Sequence, residues 1–226
     1  MSAGGRAGAT RPSRAVSRSI LRASVTTAAP ALLNCLLVTD EATLRISEVE
    51  AYAGADDPGS HARRGPTPRC RLMFEQAGLA YVYFTYGMHH CLNVVCGPPG
   101  TASAVLIRAG EVLRGEAAVR ARRDAGRSAP LPHRDLARGP ARLAQALGVD
   151  LRLGGVDLCD PAAPVSLRQG SPVPAGSVRS GPRVGVRGPG GDGDLYPWRF
   201  WVDGSRTVST YRAAARRPAV PRKRAR

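Results

Sequence analysis

Two glutamates one residue apart, Glu48 and Glu50, fall in a strand-like stretch that ends on Tyr52, with His61 and Tyr83 shortly after. Residues i and i+2 share a face of a regular strand, so the two carboxylates are expected side by side. A carboxylate in an aromatic setting can serve as general base on water. Spacing alone equally fits an exposed pair of strand acids. Glu50 is favoured by its setting: Tyr52 follows on the same face, and a Gly/Pro-rich loop (54–65) begins at once, the kind of junction where catalytic groups collect. Tyr52, His61 and Tyr83 could line a slot for a planar ring system, since stacking on aromatic side chains is worth about 1–3 kcal/mol per base. Singly, Tyr83 also reads as a half-buried strand residue and His61 as a surface loop residue. Four of the six tyrosines fall between Tyr52 and Tyr86, which supports the slot.

Tyr86-Gly87-Met88-His89 places bulky side chains at a turn, where polar ones are usual. Such a tip suits a surface meant to be covered, for instance a wedge pushed into a base stack. A hairpin folded back on its own domain is the plain alternative. Asn93 and Arg108 lie inside apolar stretches; a buried asparagine needs partners, and Arg108 is expected to pair with Glu50 or Glu111. His89, His90 and Cys91 are adjacent, so on a strand they diverge and converge poorly on one ion. No metal is expected.

These groups must be positioned by short elements. Alternation suggests strands at 33–38, 44–49, 79–85, 91–96, 104–109, 165–168, 183–186 and 199–202. Helical spacing appears at 111–123 and 140–147, the second with Pro140 early and Gly148 as a stop. The fold class expected is α+β: a single domain with a curved, mainly antiparallel β-sheet, flanking helices and a protruding β-hairpin.

The chain of 226 residues carries 33 basic and 17 acidic residues, a formal net charge of +16. Five arginines precede the first acid, Asp40, and seven basic residues follow Tyr211 without any acid. Twelve of the 33 basic groups thus lie near the ends, leaving 21 against 17 between them. Residues 1–27 and 212–226 read as basic, disordered tails around a domain at 28–211, giving salt-sensitive adhesion to polyanions. The five cysteines are irregularly spaced without CxxC, which fits a reducing compartment. No apolar run is long enough to span a bilayer, and the N-terminus lacks the apolar centre of a secretory signal. A cytoplasmic monomer, nucleoid-associated if prokaryotic, is the expectation. Lys223 is the single lysine.

The combination resembles the alkyladenine (3-methyladenine) DNA glycosylase family. It is carried by Glu48-Val49-Glu50-Ala51-Tyr52, Ser60-His61, Thr67-Pro68-Arg69, Met73-Phe74, Tyr81-Val82-Tyr83, Tyr86-Gly87-Met88, Cys91-Leu92-Asn93, Val105-Leu106-Ile107-Arg108-Ala109, Gly139-Pro140-Ala141-Arg142-Leu143, Arg183-Val184-Gly185-Val186 and Arg199-Phe200. Order and spacing agree from about Ala29 to Ser209. The resemblance implies that Glu50 activates water, held also by Arg108 and the Val184 carbonyl. Tyr52 and His61 would stack on one face of a flipped base and Tyr83 on the other, with a His61 backbone hydrogen bond favouring alkylated adenine or hypoxanthine. Tyr86 would be the wedge with Met88 beside it, Asn93 would exclude guanine, and Arg142 would contact phosphate. It implies double-stranded DNA containing damaged purines as partner, and no metal or organic cofactor. With one lysine near the chain's end, Schiff-base strand cleavage lacks an obvious amine, so hydrolysis to an abasic site is expected. A module that binds damaged DNA without cutting is the alternative; it would need the rings and wedge but not Glu50 with Arg108. His90 and the 188–194 loop depart from the family pattern, leaving the pocket rim open.

Overall fold

A computed structural model describes residues 13–85 and 87–215. Its centre is an antiparallel sheet of eight strands: β1 (Leu36–Val38), β2 (Thr43–Tyr52), β3 (Ala80–Thr85), β4 (His89–Val95), β5 (Ala104–Arg114), β6 (Ser166–Arg168), β7 (Val178–Gly181) and β8 (Arg199–Val202). The strand order is β3-β4-β5-β2-β1-β6, with β8 joining β2 and β7. Four helices accompany it: α1 (Arg18–Leu21), α2 (Val25–Ala31), α3 (Glu116–Arg123) and α4 (Pro140–Leu147). The curved α+β domain expected from the sequence is the fold observed.

β2 organises the molecule. Along one edge it pairs with β5 throughout; along the other it pairs first with β1 and then with β8. Three register shifts interrupt the β2–β5 ladder: one at the Thr43 end, where Leu113 is extra on β5, and two beside the glutamates. Ile46 faces Gly110 while Glu48 faces Ala109, leaving Ser47 extra on β2; Val49 faces Ile107, leaving Arg108 extra on β5. A bulged residue switches the side on which later side chains point. The core accordingly takes Leu44 and Ile46 before the bulge but Val49 and Ala51 after it. Glu48 and Glu50 are thereby turned away from the main core, onto the face that also presents Tyr52. Both are buried, at 0% and 1% exposure.

The main core fills the other face, where Val105 and Ile107 of β5 and Leu92 and Val94 of β4 meet Leu143, Ala144, Ala146 and Leu147 of α4. A smaller cluster of Ala62, Cys70, Met73, Tyr81, Val95, Ala102 and Ala104 lies under the loop after β2.

Several elements differ from the sequence reading. The helix expected from Glu111 begins at Glu116, because Glu111, Val112 and Arg114 are taken up by pairing with β2. Gly115 then breaks the strand at φ 79°, where a Cβ would collide with the Glu41 carbonyl. The first strand starts at Leu36 rather than 33, after Asn34 turns the chain with φ 63°. Residues 183–186 are not a strand: the Val184 N–H is spent on Glu50 and the Gly185 N–H on the Arg212 carbonyl. The neighbouring strand is β7. Val16, Leu21 of α1 and Val25 of α2, all within the stretch read as the N-terminal tail, are buried in the core. Residues 1–12 and 216–226, where most of the tail charge lies, and Tyr86 are outside the described residues.

Candidate active site

One cavity of about 450 Å³ opens beside the face that carries the glutamates. It is lined by Glu50 and Tyr52 of β2, Tyr81 and Tyr83 of β3, Cys91 and Asn93 of β4, and Leu106 and Arg108 of β5. His61 and the 184–187 segment close its sides, and Pro140 and Ala141 at the start of α4 form part of its mouth. The sheet builds this wall by period-two alternation: odd residues of β3 and β4 and even residues of β5 point inward.

The Glu50 carboxylate is fixed from three directions. Its Oε1 accepts the Val184 N–H at 2.7 Å and lies 3.2 Å from an Arg108 guanidinium nitrogen. Its Oε2 accepts the Tyr52 hydroxyl at 2.8 Å. A carboxylate offers about four acceptor positions, so capacity for one further donor remains. Burial raises the Tyr52 pKa well above the usual tyrosine value, with Glu50 adding to the effect, so the phenol stays a donor.

Glu48 does different work. It accepts the Nε–H of Arg108 at 2.9 Å, the Nε–H of Arg199 at 2.7 Å, and both the N–H (2.6 Å) and hydroxyl (2.9 Å) of Ser209. Burial opposes its charge, but Arg108, Arg199 and these bonds outweigh burial and hold its pKa below 4.5. Arg108 is thus clamped between two carboxylates. Burial disfavours the guanidinium's charge, yet Glu50 and Glu48 more than compensate and raise its pKa. Of the partners expected for Arg108, Glu50 is present and Glu111 is not; Glu111 pairs with Arg45 instead.

The aromatic side is looser. His61 Nδ1 pairs with the Tyr81 hydroxyl at 3.0 Å. Its ring meets Tyr83 edge-on, with centroids 4.7 Å apart and planes at 87°. Burial and the nearby Arg69 lower the His61 pKa from 6.5, while burial pushes Tyr81 up to about 12. Arg69 itself lies 5.4 Å from the Tyr83 ring centre and donates to the Phe84 carbonyl. Asn93 is buried and gives its side-chain N–H to the Tyr81 carbonyl at 2.9 Å while still lining the cavity.

Of the remaining sequence candidates, Met88 stands at the hairpin tip with 68% exposure. Arg142 is exposed on α4, next to the mouth residue Ala141. His89 lines the cavity, whereas His90 stacks on Phe84 with centroids 5.0 Å apart. No group of three or more His, Cys, Asp or Glu poised for a metal occurs among the described residues, and no helix there is long and apolar enough to cross a membrane.

Sequence reasoning missed the anchoring of Glu48 by Arg199 and Ser209, and the buried pair Arg183–Asp57 behind Tyr52. The one available signal was the arginine embedded in each of Arg183-Val184 and Arg199-Phe200, stretches that otherwise read as apolar strands.

The Methylpurine-DNA glycosylase (MPG) family model matches residues 19–206. A protein of Streptomyces avermitilis named "Putative 3-methyladenine DNA glycosylase" is 51% identical over 203 residues, covering 88% of this chain and 92% of its own length. Proteins of the same name from Frankia casuarinae (49%, covering 80% and 85%) and Nocardia farcinica (47%, covering 88% and 92%) are similar. Match and geometry cover the same stretch, and the chain belongs to the methylpurine-DNA glycosylase family, hydrolases of the N-glycosyl bond.

Proposed function

We propose that the protein removes alkylated or deaminated purines, 3-methyladenine and hypoxanthine among them, by flipping the nucleotide into this cavity. Water activated by Glu50 then attacks the anomeric carbon and leaves an abasic site. The observation that carries this reading is the three-way fixing of Glu50 by Val184, Arg108 and Tyr52 in the wall of a ring-lined cavity. A module that only binds damage has no use for a buried, oriented carboxylate. Fixing it beforehand removes the cost of orienting the base during reaction.

In this reading Tyr52, His61 and Tyr83 stack on the flipped base, and Asn93 crowds the exocyclic amine of guanine. Tyr86 fills the gap left in the duplex with Met88 beside it, and Arg142 contacts a phosphate. The damaged pair is the cheapest to open, which provides a first filter. A base held between two parallel rings separates them by about 7 Å, twice a van der Waals contact. His61 and Tyr83 stand at 4.7 Å and perpendicular, so base entry is coupled to rotation of His61 away from Tyr83. The only lysine of the sequence is Lys223, so the described cavity wall supplies no lysine amine, and attack by water is the simpler course. In the same reading the enzyme acts as a monomer on double-stranded DNA.

The test is product analysis on duplexes carrying hypoxanthine or ethenoadenine. The expected result is base release, with strand breaks appearing only after alkali. Breaks without alkali would contradict the hydrolytic course, and lesion binding without release of any base would replace the enzyme with a recognition module.

A further inference from the structure

Tyr52 shows one face to the cavity, and the other lies over the guanidinium of Arg183, whose central carbon is 4.6 Å from the ring centre. Arg183 is fully buried and takes no part in the cavity lining. It makes a two-pronged pair with Asp57 at 2.7 and 2.6 Å and also donates to the carbonyls of Ala51 and Gly190. The rings of Tyr196 and Trp198 each lie 5.4 Å from its central carbon. Asp57 in turn accepts the N–H groups of Ala53 and Gly59. The fit is close: a Cβ on Gly190 would overlap the backbone of Gly59.

A salt bridge of this kind does more than tie two loops together. It is neutral as a whole but is a dipole, and its positive end is set against the floor of the base slot. Tyr52 feels that end, because the Arg183 charge opposes the upward shift of the tyrosine pKa. Around the slot, Glu48, Glu50 and Asp57 stand against Arg108, Arg183 and Arg199. These six buried charges balance, while the exposed Arg69 and Arg187 add positive charge at the Tyr83 side and the rim, so what the Tyr52 face prefers depends on the arrangement of the charges nearest to it. A cation is attracted to the electron-rich face of an aromatic ring. A cation already seated on one face draws that density toward itself, so a second cation gains less on the opposite face. The two positive charges also repel through a dry ring, where screening is weak.

We propose that the Arg183–Asp57 pair is a specificity-determining element of the slot, lowering its preference for positively charged N-alkylated bases relative to neutral ones. The proposal rests on the base-excision reading. A purely structural lock would, when weakened, slow the excision of every base alike; a charge filter changes the ratio between bases.

The experiment measures single-turnover excision of 7-methylguanine, a cation in DNA, and of neutral hypoxanthine from duplexes of matched sequence. The parent is compared with Asp57→Asn/Arg183→Gln, Asp57→Asn and Arg183→Lys, with folding of each followed by calorimetry. Removing both charges is expected to raise the 7-methylguanine-to-hypoxanthine ratio by roughly threefold or more, a size set by a charge acting across one ring. Asp57→Asn alone leaves the guanidinium uncompensated and is expected to lower the ratio. Arg183→Lys keeps the charge but loses the fork, so rates fall while the ratio holds. A ratio that stays fixed, or moves in the same direction when one and both charges are removed, overturns the proposal. If the double variant does not fold, Asp57→Asn decides: an unchanged or raised ratio overturns it. A parent that releases neither base overturns the excision reading instead, and the same ratio is then read in the affinities for the two duplexes.

Discussion

The cavity has two unlike walls. On one, formed by β2 and β5 and backed by β8, Glu50 and Arg108 and, behind them, Glu48 and Arg199 are bound to one another, to Ser209 or to Val184, at exposures of 6% or less. On the other, formed by β3, β4 and the loop carrying His61, the rings meet edge-on and Phe84 and Met88 face outward at 42% and 68% exposure. The first wall is fixed before substrate arrives; the second has room to rearrange around it. A base that must be oriented belongs on rigid elements, whereas a surface that receives a deformed duplex gains from adaptable contacts. In the proposed function the chemistry falls to the β2 wall, and recognition falls largely to the hairpin wall.

The largest expected effect breaks the rigid wall. Arg108→Met leaves Glu50 without a cationic partner and Glu48 with Arg199 alone, and removing one partner of a buried charge cluster costs about 3–5 kcal/mol. Denaturant unfolding should show that loss; a change under 1 kcal/mol would mean the wall is not held by charge. Acid should reveal the same cluster. Because the folded-state pKa of Glu48 is lowered, its stabilisation is complete above 4.5 and is lost as pH falls through the lowered value. The thermal midpoint should therefore hold from neutral pH to about 5 and fall below 4.5, and a midpoint that rises on acidification would contradict the assignment.

The hairpin wall should behave in the opposite way. Tyr86→Ala and Met88→Ala should weaken binding to damaged duplex and slow excision, and Met88→Ala should leave the unfolding free energy within about 0.5 kcal/mol of the parent, the range usual for exposed sites. Normal excision by Tyr86→Ala would remove the wedge role. The smallest effect concerns His61. Arg69 contributes to the lowered imidazole pKa, so Arg69→Ala should move the His61 titration, followed by NMR, back toward 6.5. No movement would place the cause in burial alone.

How far the sequence revealed this division follows from the distances involved. Glu50, Tyr52, His61 and Tyr83 were legible because the motif around them is local, and the cavity gathers all four. The strands around them were legible from alternation, with ends blurred where tertiary pairing prevailed, as at Glu111–Arg114. What stayed hidden depends on partners far along the chain. Arg183 meets Asp57 across 126 residues, and Glu48 meets Ser209 across 161. The bulges at Ser47 and Arg108 were equally invisible, since each exists only in the register of two strands. Without them Glu50 would point into the core.

The most direct test of the division is Glu50→Gln, measured for single-turnover excision and for equilibrium binding to a hypoxanthine duplex. Loss of a positioned general base costs on the order of 10²- to 10⁴-fold in rate. The expected result is a fall of that size with lesion affinity within about threefold of the parent, since the amide oxygen can still accept from Val184 and Arg108 while the amide NH2 donates to the Tyr52 hydroxyl, which turns to accept. Excision at the parental rate, or binding lost in step with activity, would contradict the assignment of the chemistry to the β2 wall.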